Sequence, residues 1–218
     1  MIVIVPYRPD QGHRDKLWNH LKQTYWSTFP NEIVVGEHLD GPFNRSKAIN
    51  QAAQRDWDVA VIADSDTWVP VEQLHTAIQT AKHTNRLTAA FTSVMELSEP
   101  QTAEMLTGKP FPEVPSFDRI RTRELETQSS MLVITRRLWD QIGGFDPRFE
   151  GWGGEDNAFW KAATIIGGPA NRVHGFAYHL WHPPALKGRR NPLYRRNQTL
   201  WRRYSRATTQ TELRACSP

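Results

Sequence analysis

Three short stretches hold residues whose types and spacing could do chemistry. The first is VAVIADSDTWVP, where Asp64 and Asp66 stand one residue apart at the end of a five-residue apolar run. Open α/β sheets bind ligands beyond the C-terminal ends of their strands, and two carboxylates there make a site for a divalent cation that also holds phosphates. A bare Asp-x-Asp is usually a solvated turn; its position directly after a buried strand is what gives this one weight. The second stretch is FEGWGGEDNAFW. Gly151, Gly153 and Gly154 let the backbone turn sharply and approach a ligand closely, and Trp152 among them has little core to fill. Glu155 and Asp156 then open a helix, where carboxylates are also ordinary caps. One would suffice as a cap, so two beside a glycine-tryptophan loop suggest a base for an acceptor hydroxyl and its neighbour. The third is HLWHP. His179 and His182, three apart, diverge in an extended strand and converge in a turn; Pro183 and Pro184 end the strand and favour convergence. Imidazole ligands prefer manganese or another transition ion to magnesium.

Alternating strands and helices must position these groups. β-branched runs predict strands at 2–5, 32–36, 59–63, 87–94, 131–135 and 173–182. Helical spacing predicts helices over 14–24, 43–55, 71–82, 136–142 and 155–166, the fourth closed by Gly143-Gly144. Residues 100–118, with four prolines and a glycine, read as loop. The order of elements predicts a single α/β domain, a Rossmann-like, mostly parallel sheet flanked by helices. Residues 1–185 form that domain, and 186–218 are a basic, helical tail packed on it or extending from it.

The chain has 218 residues, 39% hydrophobic and 23% charged, with nine tryptophans and a net charge of +4. That length holds one α/β domain and is short for two, and the mild positive bias suits an anionic ligand. From Lys187 to Arg206 every charged residue is basic, with Tyr194, Trp201 and Tyr204 interleaved near helical spacing. This reads either as an amphipathic helix docked on the domain or as a surface for phosphates of nucleic acid or an anionic glycan. The single cysteine, Cys216, excludes an internal disulfide and fits a reducing compartment. The N-terminal MIVIVPYRPD is too short for a signal-peptide core or a membrane span, and no other long apolar stretch exists. A cytoplasmic location is the expectation.

Taken together, the motifs resemble the catalytic domain of the β-1,4-galactosyltransferases and their GT-A-type relatives, the polypeptide N-acetylgalactosaminyltransferases and bacterial chondroitin-type polymerases. The resemblance lies in VPYR, FNRSKAIN, DSD and GGFDPRFEGWGGED, with a weaker HLWH block, across residues 1–183. It implies a GT-A fold and metal-dependent transfer of a sugar from a nucleotide sugar, UDP by the family's habit, to an acceptor hydroxyl with inversion. Pro6, Tyr7 and Arg8 would line the uridine diphosphate pocket, with Arg45 and Lys47 along the nucleotide. Asp64 would contact the ribose or donor sugar. Asp66, His182 and His179 would ligate manganese (or magnesium). Trp152, with Gly153 and Gly154, would belong to a mobile loop over the donor. Glu155 and Asp156 would bind the acceptor, Asp156 serving as base. The Golgi members' anchor, stem and disulfides do not occur in this sequence, so the acceptor does not carry over: a glycan, or hydroxymethylated DNA held by the basic tail as in some phage enzymes. Two other classes compete. A non-catalytic sugar-nucleotide-binding module would not need Glu155 and Asp156, and a nucleotidyltransferase would want a glycine-rich phosphate loop where Pro6-Tyr7-Arg8-Pro9-Asp10 stands.

Overall fold

In the computed structural model, which describes residues 1–183 and 191–216, the β-branched runs form the centre of the molecule. The strands are β1 (Ile2–Pro6), β2 (Glu32–Gly36), β3 (Val59–Ala63), β4 (Thr67–Trp68), β5 (Thr88–Ala89), β6 (Ser93–Leu97), β7 (Phe117–Arg121), β8 (Met131–Thr135), β9 (Asn171–Arg172) and β10 (Phe176–His179). The helices are α1 (His13–Thr24), α2 (Arg45–Ala52), α3 (Val71–Thr84), α4 (Glu99–Leu106), α5 (Arg136–Ile142), α6 (Glu155–Gly167), α7 (Pro192–Arg206) and α8 (Gln210–Cys216). A six-stranded sheet runs β2-β1-β3-β8-β5-β9, and a four-stranded one β4-β10-β6-β7. In the larger sheet β1 pairs in parallel with β2 and β3, while β8 is antiparallel to both its neighbours. Every residue of β1 and β3 is buried, which is why both lack polar alternation.

Three expectations are corrected. The predicted strand over 87–94 is two strands in different sheets: β5 pairs with β8 and β9, β6 with β7 and β10, and residues 90–92 cross between them. The run is buried throughout its middle, so its pattern gives no sign of the change of sheet. The loop expected over 100–118 holds α4 and the start of β7. Ser98 caps α4 by accepting from the Gln101 amide, and Pro100 sits in the first turn, where a missing N–H costs nothing. The strand expected over 173–182 shortens to β10, leaving His182 beyond its end.

Two devices fix α2 against the sheet. Gly36 leaves no room for a side chain, since a Cβ there would lie 2.1 Å from the Ala48 carbonyl oxygen. Buried Asn44 caps α2 through the Lys47 amide and donates its Nδ2 to Pro147 O at 2.8 Å. Asn50 exchanges two further bonds with the backbone of Phe145, and the Gly151 amide donates to Phe43 O. The FNRSKAIN and GGFDPRFEGWGGED segments are thus stitched edge to edge. At the C-terminus, Leu200, Tyr204, Leu213 and Cys216 pack on Phe149, Ala158 and Ala162, a second apolar cluster joining α6, α7 and α8. Lys187, Arg189 and Arg190, counted with the basic tail, lie outside the described residues. Among the described residues no helix is long and apolar enough to cross a membrane.

Candidate active site

The site is built where the two sheets meet. The chain leaves β3 into the Asp64-Ser65-Asp66 turn and enters β4, whose antiparallel pairing sets Thr67 opposite His179. Leu180 N then donates to Asp66 O at 2.9 Å. The following segment is pinned twice more: Trp181 N donates to Thr102 Oγ1 on α4, and Trp181 O contacts His13 Nε2 on α1 at 2.8 Å. This brings His179 Nε2 to 3.6 Å from Asp66 Oδ1, and His182 Nε2 to 3.5 Å from Asp66 Oδ2. One ligand atom from each of the three lies within 4.8 Å of the others, a grouping that could hold a metal ion. The two imidazoles that sequence spacing left ambiguous therefore converge.

Protonation suits that use. Burial alone would raise the Asp66 pKa, but His179, His182 and Arg14 outweigh it and hold the carboxyl below its ordinary value. Burial pushes His179 down, which leaves its ring neutral at pH 7 with a lone pair to give. His182 Nδ1 lies 2.8 Å from Pro183 O. A carbonyl only accepts, so Nδ1 donates there and Nε2 is the ring nitrogen that faces Asp66.

Asp64 faces a different partner. Its Oδ2 accepts from Ser130 N at 3.0 Å, while Asp64 N donates to Ser130 O at 2.9 Å. Its Oδ1 accepts from Arg45 Nη2 at 2.7 Å. The same guanidinium donates a short hydrogen bond to Asp156, so Arg45 bridges the Asp-x-Asp turn and the start of α6. Burial opposes the charge on Arg45, but Asp156, Asp64 and Glu155 outweigh it and keep the group protonated. Three carboxylates to one guanidinium leave an excess of negative charge. Burial, reinforced by the other two carboxylates against the pull of Arg45, raises Asp156 well above the ordinary carboxylate range. Burial likewise raises Glu155, whose Oε2 is buried without a hydrogen-bond partner among the described residues.

Gly154 sets the direction of both acids. It caps α6 at φ +101°, and a Cβ on it would lie 2.8 Å from Phe149 Cε1. Only glycine fits that position. Trp152, 42% exposed, stacks on Tyr194 of α7 with ring centroids 5.5 Å apart and 22° between planes.

One cleft of about 670 Å³ is lined by Pro6, Arg45, Asp64, Asp66, Trp152, Gly153, Gly154, Glu155, Asp156, His179 and His182. Tyr7, Arg8 and Lys47 are not among its lining residues. Tyr7 is buried beside Trp18 and donates a short hydrogen bond to Asp15. Arg8 donates to Gly41 O at 2.6 Å, and Lys47 is exposed on α2. The cleft also takes Arg14, Glu96, Arg121, Gln128, Tyr194 and Gln198, none of which carried a motif. In the sequence Tyr194 is legible only as part of the basic tail's helical pattern, and Gln198, four residues on along the same helix, is not singled out.

Comparison with known proteins bears on the fold. The family model for the N-terminal domain of galactosyltransferase matches residues 118–183. No curated protein sequence matches the chain. Among solved structures, the catalytic domain of Drosophila β1,4-galactosyltransferase 7 in complex with xylobiose superposes with a TM-score of 0.53 at 18% identity, covering 79% of this chain and 64% of that one. S. aureus TarS does so with a TM-score of 0.50 at 15% identity, over 82% of this chain and 60% of TarS. Its complex with UDP-GlcNAc also gives 0.50, at 13% identity, over 84% and 59%. This chain thus spans about three fifths of the length of those structures. It has the GT-A glycosyltransferase fold, and it resembles the catalytic domain of the β-1,4-galactosyltransferases.

Proposed function

We propose that the protein is a metal-dependent glycosyltransferase that moves a sugar from a nucleotide-sugar donor to an acceptor hydroxyl. The observation that carries this reading is the meeting of two acidic groups in one cleft: Asp66 with His179 and His182, and Glu155 with Asp156. A sugar-nucleotide-binding module would need only the first. UDP is the expected nucleotide, in keeping with the UDP-GlcNAc held by the structurally similar TarS.

Charge in the cleft supports the cation requirement. Arg45 is engaged by Asp64 and Asp156, Arg121 by Glu96, and Arg119 by Glu126. With these three arginines so neutralised and Arg14 already acting on Asp66, the cleft offers a diphosphate little free positive charge. Two imidazole nitrogens and a carboxylate oxygen suit manganese better than magnesium. A divalent cation on Asp66, His179 and His182 would supply the positive charge that a departing diphosphate needs. The chain does the rest. Arg45 orients Asp156, whose raised pKa makes it a stronger base than an exposed carboxylate, fit to take the acceptor proton. A base acting on a hydroxyl that attacks the anomeric carbon directly gives inversion. Trp152 and the glycines beside it cover the donor and limit its hydrolysis.

The test is a panel of nucleotide sugars, with released nucleotide measured in Mn²⁺ and in chelator. Turnover with at least one UDP-sugar, dependent on Mn²⁺, is expected. Asp66→Ala should abolish both turnover and calorimetric Mn²⁺ binding while melting as wild type does. Wild-type-like turnover by that variant would overturn the metal assignment.

A further inference from the structure

The outer face of α7 is the most strongly charged surface element that the proposed chemistry does not use. Arg195, Arg196, Arg202, Arg203 and Arg206 are all exposed, and the helix carries no acid. Arg196 pairs with Glu150 at 3.1 Å. The other four have no ion pair among the described residues. Arg195, Thr199, Arg202 and Arg206 follow the spacing i, i+4, i+7, i+11, which puts them in one row along a single helix face. At the rise of an α-helix the row is about 16 Å long. Like charges at such spacing destabilise a helix, and the five arginines of α7 exceed the net charge of +4 for the whole chain. The row adjoins the cleft, because Gln198, a lining residue, stands four positions before Arg202. The opposite face, with Leu200 and Tyr204, is packed on α6 and α8 and holds the row outward.

Resting on the transferase reading above, we infer that this row is the docking track for an acidic glycan acceptor, a single chain bearing carboxylates. All five cations are arginine. The planar guanidinium forks onto carboxylate or phosphate, which an ammonium does not. A straight single row fits one extended chain. Surfaces that bind single-stranded nucleic acid add aromatic rings on which bases stack; here the exposed residue between the arginines is Thr199, and Trp201 is half-buried against the α6–α8 cluster.

The experiment uses the full chain and a fluorescently labelled oligogalacturonate long enough to span α7, followed by anisotropy. A neutral dextran oligomer and single-stranded and duplex oligonucleotides serve as competitors. The oligogalacturonate should bind, weaken with added salt, and resist dextran. The Arg195→Gln/Arg202→Gln/Arg206→Gln variant should bind it about tenfold more weakly, with Tm and Mn²⁺ binding unchanged. Equal binding by the variant, no binding by the wild type, or displacement by either oligonucleotide at lower concentration than by unlabelled oligogalacturonate would overturn the inference. Donor turnover is measured separately. Its failure in a protein that still binds the oligogalacturonate sinks the transferase reading, and a wild-type protein that turns over donor but does not bind the oligogalacturonate sinks this one.

Discussion

Arg45→Met tests the electrostatic core of the site. The substitution keeps an apolar stem beside Phe145, over which the guanidinium lies at 5.7 Å, but removes the one cation shared by Asp64, Glu155 and Asp156. Side-chain exposure is 12% for Arg45, 24% for Asp64 and 20% for Asp156, so water screens the stranded charges poorly. Removing one partner of such a buried group costs about 3 kcal/mol, or roughly 6–12 °C in Tm for a chain of this size. The cost has a definite pH dependence. Glu155 and Asp156 have folded-state pKa values above their ordinary ones. The native state therefore binds more protons than the unfolded state through the window above about pH 4, and stability declines as pH rises through it. Without Arg45 the folded values rise further and the window extends upward. More of Glu155 and Asp156 is protonated at pH 5 than at pH 8, so the penalty is smaller at pH 5. Melting both proteins at pH 5 and pH 8, at one low ionic strength, measures this. An equal loss of Tm at the two pH values, or no loss at pH 8, would refute the claim that Arg45 balances these acids.

Two further substitutions probe the scaffold. Gly154→Ala combines a side chain at φ +101° with a contact to the buried Phe149 ring, and should cost about 3 kcal/mol by calorimetry. Gly108→Ala, at φ +86° with nothing within 4 Å, should cost only the backbone part; equal losses would mean that the ring contact is unimportant. Asn44→Ala removes the cap of α2 and the bond to Pro147. It should lower stability by about 2 kcal/mol and turnover by more than that loss explains, because Arg45 follows directly. A variant with wild-type turnover would show that the cap does not position Arg45.

Much of this was legible in the sequence, for reasons that differ by residue. The buried strands announced themselves as β-branched runs, α5 through its glycine stop, and α6 through its acidic first turn. The split of the 87–94 run was hidden because Ala89, Ala90 and Phe91 are buried, and Thr92 in the crossing is a residue type that strands also favour. Pro100 misled because proline punctuates loops and helix starts alike. The pairing of Asp66 with His179 depends on β4, two residues long, meeting β10 more than a hundred residues later; no local pattern encodes a contact of that separation. The bridging role of Arg45 was equally out of reach. FNRSKAIN showed a cation on a helix, and only the bonds from Asn44, Asn50 and Gly151 to the facing segment bring it to both Asp64 and Asp156.

The two charged surfaces make sense together rather than singly. A cleft rich in carboxylates repels an acidic polymer, and a row of arginines with no cleft beside it has nothing to catalyse. Placed side by side on α7, they sort the parts of one acceptor. Anionic groups are held on the outer face by Arg195, Arg202 and Arg206. Past Gln198 and Tyr194, the pocket of Glu155 and Asp156 favours an uncharged end with a free hydroxyl. Selection of that end would then come from repulsion inside the cleft as much as from attraction outside it. Such an arrangement would present a polyanionic chain end-on to the donor without offering its charged groups to the base.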